Sequence, residues 1–166
     1  MPDSVEYLKK IEGLSQGDDF LAVQRQTPIT LEQLIDGLSE QDLHRRPQPD
    51  KWAVNEIITH LAEDEIVTFW RYRRMLENPG CPLAGFDQDR WAELGNYTGR
   101  NARQSLTLFK SLRVANIELL DRLTEHEWHC HGVHAERGKI TVESLARHMA
   151  GHDLNHVQQI RRILGQ

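Results

Sequence analysis

Histidine is the residue type with the clearest chemical potential in this sequence, which has nine histidines among 166 residues. Seven of the nine lie between His126 and His156. Histidine is the commonest side-chain ligand of divalent metals, and its charge changes near neutral pH. The number and crowding of these residues therefore predict a site that binds a metal or transfers protons, although the count alone does not say which histidines form it.

Three of these histidines, His148, His152 and His156, follow one another at intervals of four residues. Side chains four apart in a helix lie on one face with β-carbons about 6 Å apart, so two imidazoles can reach one ion. At 100° per residue, His156 lies about 40° from the centre of the apolar stripe, His152 about 80° and His148 about 120°. We therefore expect His152 and His156 to face inward as ligands, and His148 to lie outside them, supporting a ligand ring. A half-exposed pair at the edge of the helix is the alternative.

Two carboxylates at apolar positions favour a polar site over an ordinary helix edge. Asp153 lies about 20° from the centre of the same stripe, and Glu65 falls within the stripe of an upstream helix. A buried carboxylate needs a partner, because its burial without one is costly. Asp153 and Glu65 are therefore candidates to orient a ligand imidazole through a hydrogen bond.

A third ligand is needed, because a catalytic zinc site has three protein ligands and one open position. On the upstream helix, His60 lies about 110° from the centre of the stripe, on the same flank as Asp64. Taken by itself, His60 is more simply an exposed flank residue. A denser group has spacing that matches no metal motif, although one member could line the mouth of a pocket: His126, His129, Cys130, His131 and His134.

The residues that must position these side chains have helical periodicity almost throughout. Caps and breaks predict short helices over Ser4–Glu12 and Asp18–Gln26, and a helix that opens at Thr27-Pro28 and runs to about Leu38. Longer helices are predicted over Trp52–Glu77, Asn101–Glu125 and Thr141–Leu164, with loops over Gly80–Tyr97 and His126–Lys139. Trp91 in the first loop is expected to fold back onto the helices. The prediction is an all-α, four-helix bundle with short additional N-terminal helices, formed by residues 1–166 as a single domain.

The amino-acid composition argues against several classes of protein function. With 25 acidic and 20 basic residues, the formal net charge is −5, which argues against nucleic-acid binding and favours a small-molecule ligand. No apolar run approaches the roughly 18 residues of a membrane span, and the first residues lack the pattern of a signal peptide. Two cysteines, Cys81 and Cys130, do not make a disulfide framework. We therefore expect a cytoplasmic protein that does not enter a membrane.

Short motifs at both ends of the chain resemble those of one known family. Upstream these are Arg46-Pro47, Lys51-Trp52, Glu56, His60-Leu61-Ala62 and Glu65; downstream they are Gly138, Thr141, Gly151-His152-Asp153, Asn155-His156 and Gln159-Ile160. In order and separation they resemble the DinB-like superfamily of four-helix-bundle metal proteins, from about Phe20 to Leu164. The resemblance implies a divalent metal ion, zinc or nickel, held by His60, His152 and His156, and often a dimer.

Two positions depart from the family pattern. Ala53 stands where the family usually has a serine that caps the helix, which predicts a weaker helix start. Glu63 stands where the family has aspartate, so Glu63 is a further candidate to orient a ligand from outside the metal site, through a longer side chain.

The predicted site allows three functions. The first function is S-transfer, in which the metal activates a low-molecular-weight thiol that is transferred to a small electrophile. It is implied by the resemblance of known family members to thiol-dependent transferases. The alternatives are metal-dependent hydrolysis of a small amide or ester, and a non-enzymatic metal-binding bundle. The upstream helix also has a second apolar face, which predicts a homodimer; its residues are Trp52, Ile66, Val67 and Trp70.

Overall fold

The computed structural model describes residues 5–17 and 19–166, so Ser4 and Asp18, where two predicted segments begin, lie outside it. Within these residues the helices are α1 (Val5–Leu14), α2 (Phe20–Ile35), α3 (Glu40–Leu43), α4 (Val54–Glu77), α5 (Gln88–Leu94), α6 (Ala102–Leu120), α7 (Glu125–Trp128) and α8 (Val142–Leu164). The strands are β1 (Cys81–Leu83), β2 (His131–His134) and β3 (Gly138–Thr141), and a 3₁₀ turn covers Tyr97–Gly99.

The four long helices α2, α4, α6 and α8 form a bundle, which confirms the predicted fold. Helix α4 packs against α6, and α2 packs against both α6 and α8. Their apolar stripes meet in a core that excludes water from Leu31, Ile57, Phe109 and Ile160. Burial of such stripes supplies most of the stability of helices in a globular protein. Among the described residues, no helix combines the length and apolarity that crossing a membrane requires.

The predicted helix start at Thr27-Pro28 is wrong, because α2 begins at Phe20 and Pro28 lies inside it. Asp19 caps the helix by accepting hydrogen bonds from the N–H groups of Leu21 and Ala22. Proline lacks the N–H that would bind the carbonyl of Gln24 four residues earlier. That carbonyl instead accepts a hydrogen bond from Arg113 Nη1 at 2.8 Å, so a side chain from α6 satisfies the group that Pro28 leaves without a partner.

Both predicted loops contain secondary structure that the sequence did not reveal. Segment 80–97 holds β1 and α5, and segment 126–139 holds most of α7, all of β2 and the start of β3. Strand β2 pairs in parallel with β1 and antiparallel with β3. Runs of three or four residues are too short to show the alternation by which strands are recognised. Trp91 packs on Phe86 of its own segment, with ring centroids 4.6 Å apart.

The ends of two helices also differ from expectation. Helix α6 ends at Leu120 rather than Glu125, because Thr124 starts a new turn through its hydrogen bonds with Glu127. Helix α4 begins at Val54 with no side-chain cap from Ala53. Glu56 compensates by accepting a hydrogen bond from the Ala53 N–H at 2.8 Å, a return contact typical of the third residue of a helix.

Gly151 lets the N-terminal helix lie directly on α8, beside the predicted site. A β-carbon at this position would lie 2.1 Å from the carbonyl oxygen of Ile11, which is far inside van der Waals contact. Lys10 Nζ then reaches Asn155 Oδ1 at 2.7 Å. Helix α1 thereby covers the face of α8 next to His152 and His156.

Candidate metal centre

Three of the predicted residues, His60, His152 and His156, come together inside the bundle. His60 lies on α4 and the other two lie one turn apart on α8. The Nε2 atom of His152 lies 3.1 Å from that of His60 and 3.1 Å from that of His156. All three residues are buried. In the part of the chain that the structure describes, this is the group of histidine, cysteine and carboxylate side chains whose ligand atoms all lie within 4.8 Å of one another.

A hydrogen bond fixes the tautomer of His156, and burial keeps all three rings neutral. Gln159 Oε1 lies 3.0 Å from His156 Nδ1, and an amide oxygen only accepts, so the proton of this ring is on Nδ1. Its Nε2 is therefore bare. Burial, followed by the charge of His156, holds the pKa of His60 well below its ordinary value. Burial likewise lowers the pKa of His152 and brings that of His156 to about 4, so all three rings are neutral at pH 7.

This arrangement fits a bound cation. Lone pairs of neutral imidazoles at van der Waals separation repel each other unless a proton or a cation lies between them. Donors of one tetrahedral ion with bonds of about 2.0–2.1 Å lie about 3.3 Å apart, close to the 3.1 Å separations here. Of the residues that the sequence singled out, this set has the chemistry and the spacing of a metal site.

Two further side chains border the cluster. Asp64 Oδ2 lies 3.4 Å from His152 Nε2 and 3.7 Å from His60 Nε2. On the other side, the indole of Trp52 packs on the His60 ring with centroids 5.2 Å apart. The His60 ring therefore lies between a charged carboxylate and an apolar indole.

The carboxylates predicted to orient the ligand rings have other partners. Asp153 and Glu65 both bind the buried guanidinium of Arg113, at 2.5 Å and 2.8 Å. Glu65 also accepts a hydrogen bond from Asn116. Glu63 accepts one from the Tyr97 hydroxyl at 2.7 Å. These contacts tie α4, α6 and α8 together beside the histidines, and none of them goes to a histidine ring.

His148 lies closer to the cluster than its angle on the helix predicts. Its ring is half-buried and stacks on that of His152, with centroids 6.2 Å apart. Burial, and then the charges of Arg137 and Arg71, lower the pKa of His148 to about 3. His148 is therefore a neutral neighbour of the cluster on the side of the cavity.

A cavity of about 1460 Å³ opens beside the histidines. His152 and His156 line it together with Asp64, and the loop after β1 and the β2–β3 hairpin form much of its wall. His134 from the hairpin is buried in this wall, so one member of the downstream histidine group lines the cavity, which the sequence had left open. The cavity is large enough for a small organic molecule.

Sequence reasoning assigned no role to three residues that shape the centre: Asp64, which was noted only for sharing the flank of His60, Gln159, which was noted only as part of the family motif, and Arg113. Asp64 follows His60 by four residues and Gln159 follows His156 by three, so helical spacing alone could have placed both beside a ligand. Arg113 carried no such signal, because an arginine among core positions of a helix is normally exposed.

The neutral, buried histidines make stability depend on pH. In the unfolded chain a histidine takes up a proton below a pKa of about 6.5, whereas in the fold the pKa values of His60, His152 and His156 are lowered. The unfolded state therefore binds more protons at acid pH, and the fold loses stability as pH falls below 6.5. We expect a loss on the order of 1 kcal/mol per histidine per pH unit, measured by urea unfolding in EDTA from pH 8 to 5. Constant stability across this range would contradict the lowered pKa values.

Comparison with known proteins identifies relatives of this chain. The family model described as the DinB superfamily matches residues 25–160. Two curated relatives carry the name "Putative metal-dependent hydrolase". OB0413 of Oceanobacillus iheyensis is 23% identical over 79% of this chain and 75% of its own length. YfiT of Bacillus subtilis is 22% identical over 89% of this chain and 84% of its own length. The solved structure of YfiT, a four-helix bundle of unusual topology, superposes with a TM-score of 0.80 at 21% identity, covering 99% of this chain and 91% of YfiT. The extent of the family match shows that the chain belongs to the DinB superfamily.

Proposed function

We propose that His60, His152 and His156 hold a divalent metal ion, and that the chain is a metal-dependent hydrolase of a small molecule. The observation that carries the proposal is the convergence of three Nε2 atoms beside a large cavity, with that of His152 lying 3.1 Å from each of the other two. Three imidazoles leave at least one coordination position open, as in catalytic rather than structural zinc sites. The name that both relatives carry, "Putative metal-dependent hydrolase", supports the same class of reaction.

In the proposed reaction, the side chains around the site hold the metal ligands in position. When bound, a divalent ion polarises a substrate carbonyl and makes water more acidic. Gln159 fixes the ring of His156 by accepting its Nδ1 proton in a hydrogen bond, and Trp52 limits the rotation of His60 through ring contact. The ligand atoms are therefore held in place before the ion and the substrate arrive. The hairpin and the loop after β1 form much of the wall of the cavity that would receive the substrate.

Zinc or nickel is the proposed ion. Neutral imidazole nitrogen suits both metals, whereas calcium and magnesium prefer oxygen ligands. The absence of a thiolate from the ligand set argues against a site built for monovalent copper.

Hydrolysis is separated from the other two candidate functions by an assay with and without thiol. Zinc-loaded and nickel-loaded protein is incubated with p-nitrophenyl acetate and a matching p-nitroanilide, and release of the chromophore is followed. We expect release without thiol, at least about tenfold faster than after EDTA treatment, and recovered when the metal is restored.

The alternatives give different results in the same assay. Chromophore release that requires a low-molecular-weight thiol, and yields the thioester of that thiol, supports S-transfer instead. Hydrolysis that EDTA does not affect would contradict a metal-dependent reaction. Full metal occupancy with no turnover of any probe supports a non-enzymatic metal-binding role.

A homodimer is also proposed, through the second apolar face of α4. Ile66 and Trp70 are each 45% exposed on this helix, while Val67 and Trp52 contribute to the cavity wall. Exposed large apolar side chains that neighbour each other on a helix favour burial against a partner. A dimeric mass in solution that becomes monomeric in a Trp70→Glu variant is expected, and a monomeric wild-type protein at micromolar concentration would contradict the proposal.

A further inference from the structure

Asp64 places a carboxylate beside the histidine cluster without belonging to it. Its Oδ2 lies 3.4 Å and 3.7 Å from the Nε2 atoms of His152 and His60, yet it is outside the set whose ligand atoms all lie within 4.8 Å of one another. Its side chain is 16% exposed and lines the cavity. The carboxylate therefore stands between the cluster and the space from which a small molecule approaches.

Three consecutive acidic residues on α4 point in three directions, and only one of them faces the histidines. Successive residues on a helix are rotated by about 100°. Glu63 is turned to the Tyr97 hydroxyl and Glu65 to the guanidinium of Arg113. Asp64 comes one turn after His60 and shares its face of the helix, so the same rigid element fixes the carboxylate and the ligand ring.

We propose that Asp64 selects and orients the molecule that enters the open coordination position, by accepting a hydrogen bond from it. A carboxylate accepts hydrogen bonds and donates none, and its negative charge disfavours an anion beside it. A water molecule or another ligand with an O–H or N–H group is held by Oδ2, whereas a small anion without a donor is repelled. Asp64 is thus a positioning residue for the attacking water, and this inference rests on the proposed metal site.

The test compares two small probes on the cobalt(II)-loaded protein, with binding followed by the visible absorption of the ion. Azide brings a negative charge and no proton, whereas hydroxylamine at pH 8 is neutral and keeps an O–H donor beside the nitrogen that binds the ion. In Asp64→Asn we expect azide to bind about tenfold more tightly and hydroxylamine about tenfold more weakly than in wild type, because the charge and one acceptor oxygen are lost. Glu63→Gln, which changes the neighbouring carboxylate, is expected to leave both affinities unchanged.

The opposite signs of the two effects separate this role from a structural one. If both probes change in the same direction, or neither changes, the inference is overturned. Loss of cobalt from Asp64→Asn also overturns it, because Asp64 would then be needed to hold the ion. If the wild-type protein takes up no cobalt, the proposed metal site itself fails, which is a different result from a change confined to the variant.

Discussion

Replacing His152 by alanine is expected to reduce bound zinc or nickel from about one ion per chain to less than about a tenth of that. His152 is the central member of the cluster, because its Nε2 lies 3.1 Å from both of the other Nε2 atoms. Its loss leaves two imidazoles, which do not hold an ion firmly. Metal content after gel filtration, measured by inductively coupled plasma mass spectrometry, gives the result.

The matched control for this prediction is His129→Ala. His129 is exposed and its ring bonds the carbonyl of Glu125 within α7, so its removal tests whether any histidine affects the metal content. We expect full occupancy in this variant. Equal metal in wild type and His152→Ala would place the ion elsewhere in the protein.

Replacing Arg113 by methionine is expected to lower the free energy of unfolding by about 3–5 kcal/mol, because it leaves two buried carboxylates without their cation. The guanidinium binds Asp153 and Glu65, and the exposed fraction of each of the three side chains is 2% or less. It also satisfies the carbonyl of Gln24 that Pro28 cannot serve. Chemical denaturation at pH 7 measures the loss.

Two further variants show whether charge is the cause of this loss. Arg25→Met removes a half-exposed arginine that binds Asp121, and we expect it to change stability by less than about 1 kcal/mol. Adding Asp153→Asn and Glu65→Gln to Arg113→Met removes the uncompensated charges, and part of the stability is expected to return. A loss below about 1 kcal/mol in Arg113→Met would mean that the buried carboxylates need no cation.

Helical periodicity was enough to predict most of the fold and part of the candidate metal site. The apolar stripes predicted α4 and α8 to within two residues at each end, and the angles on α8 directed His152 and His156 inward. His60 was different, because its angle predicted an exposed flank. Its selection depended on the family resemblance. In the structure it is buried, because Trp52 and α8 cover that flank.

The local sequence pattern did not reveal which residues of distant helices and strands contact each other. Asp153 and Glu65 were correctly recognised as buried carboxylates in need of partners, but the partner, Arg113, lies 40 and 48 residues away on another helix. The same arginine bears on the failed helix start at Pro28, since its side chain on α6 donates a hydrogen bond to the Gln24 carbonyl that the proline leaves without a backbone donor. The small sheet was missed because its strands are only three or four residues long and because β1 pairs with β2 across about fifty residues of chain.

The most direct test of the metal centre is a crystal structure of the zinc-loaded or nickel-loaded protein, with anomalous scattering recorded at the absorption edge of the ion. We predict one strong anomalous peak within about 2.0–2.2 Å of the Nε2 atoms of His60, His152 and His156, on the side of the cavity. A fully loaded protein whose anomalous peak lies away from these three nitrogens would contradict the account.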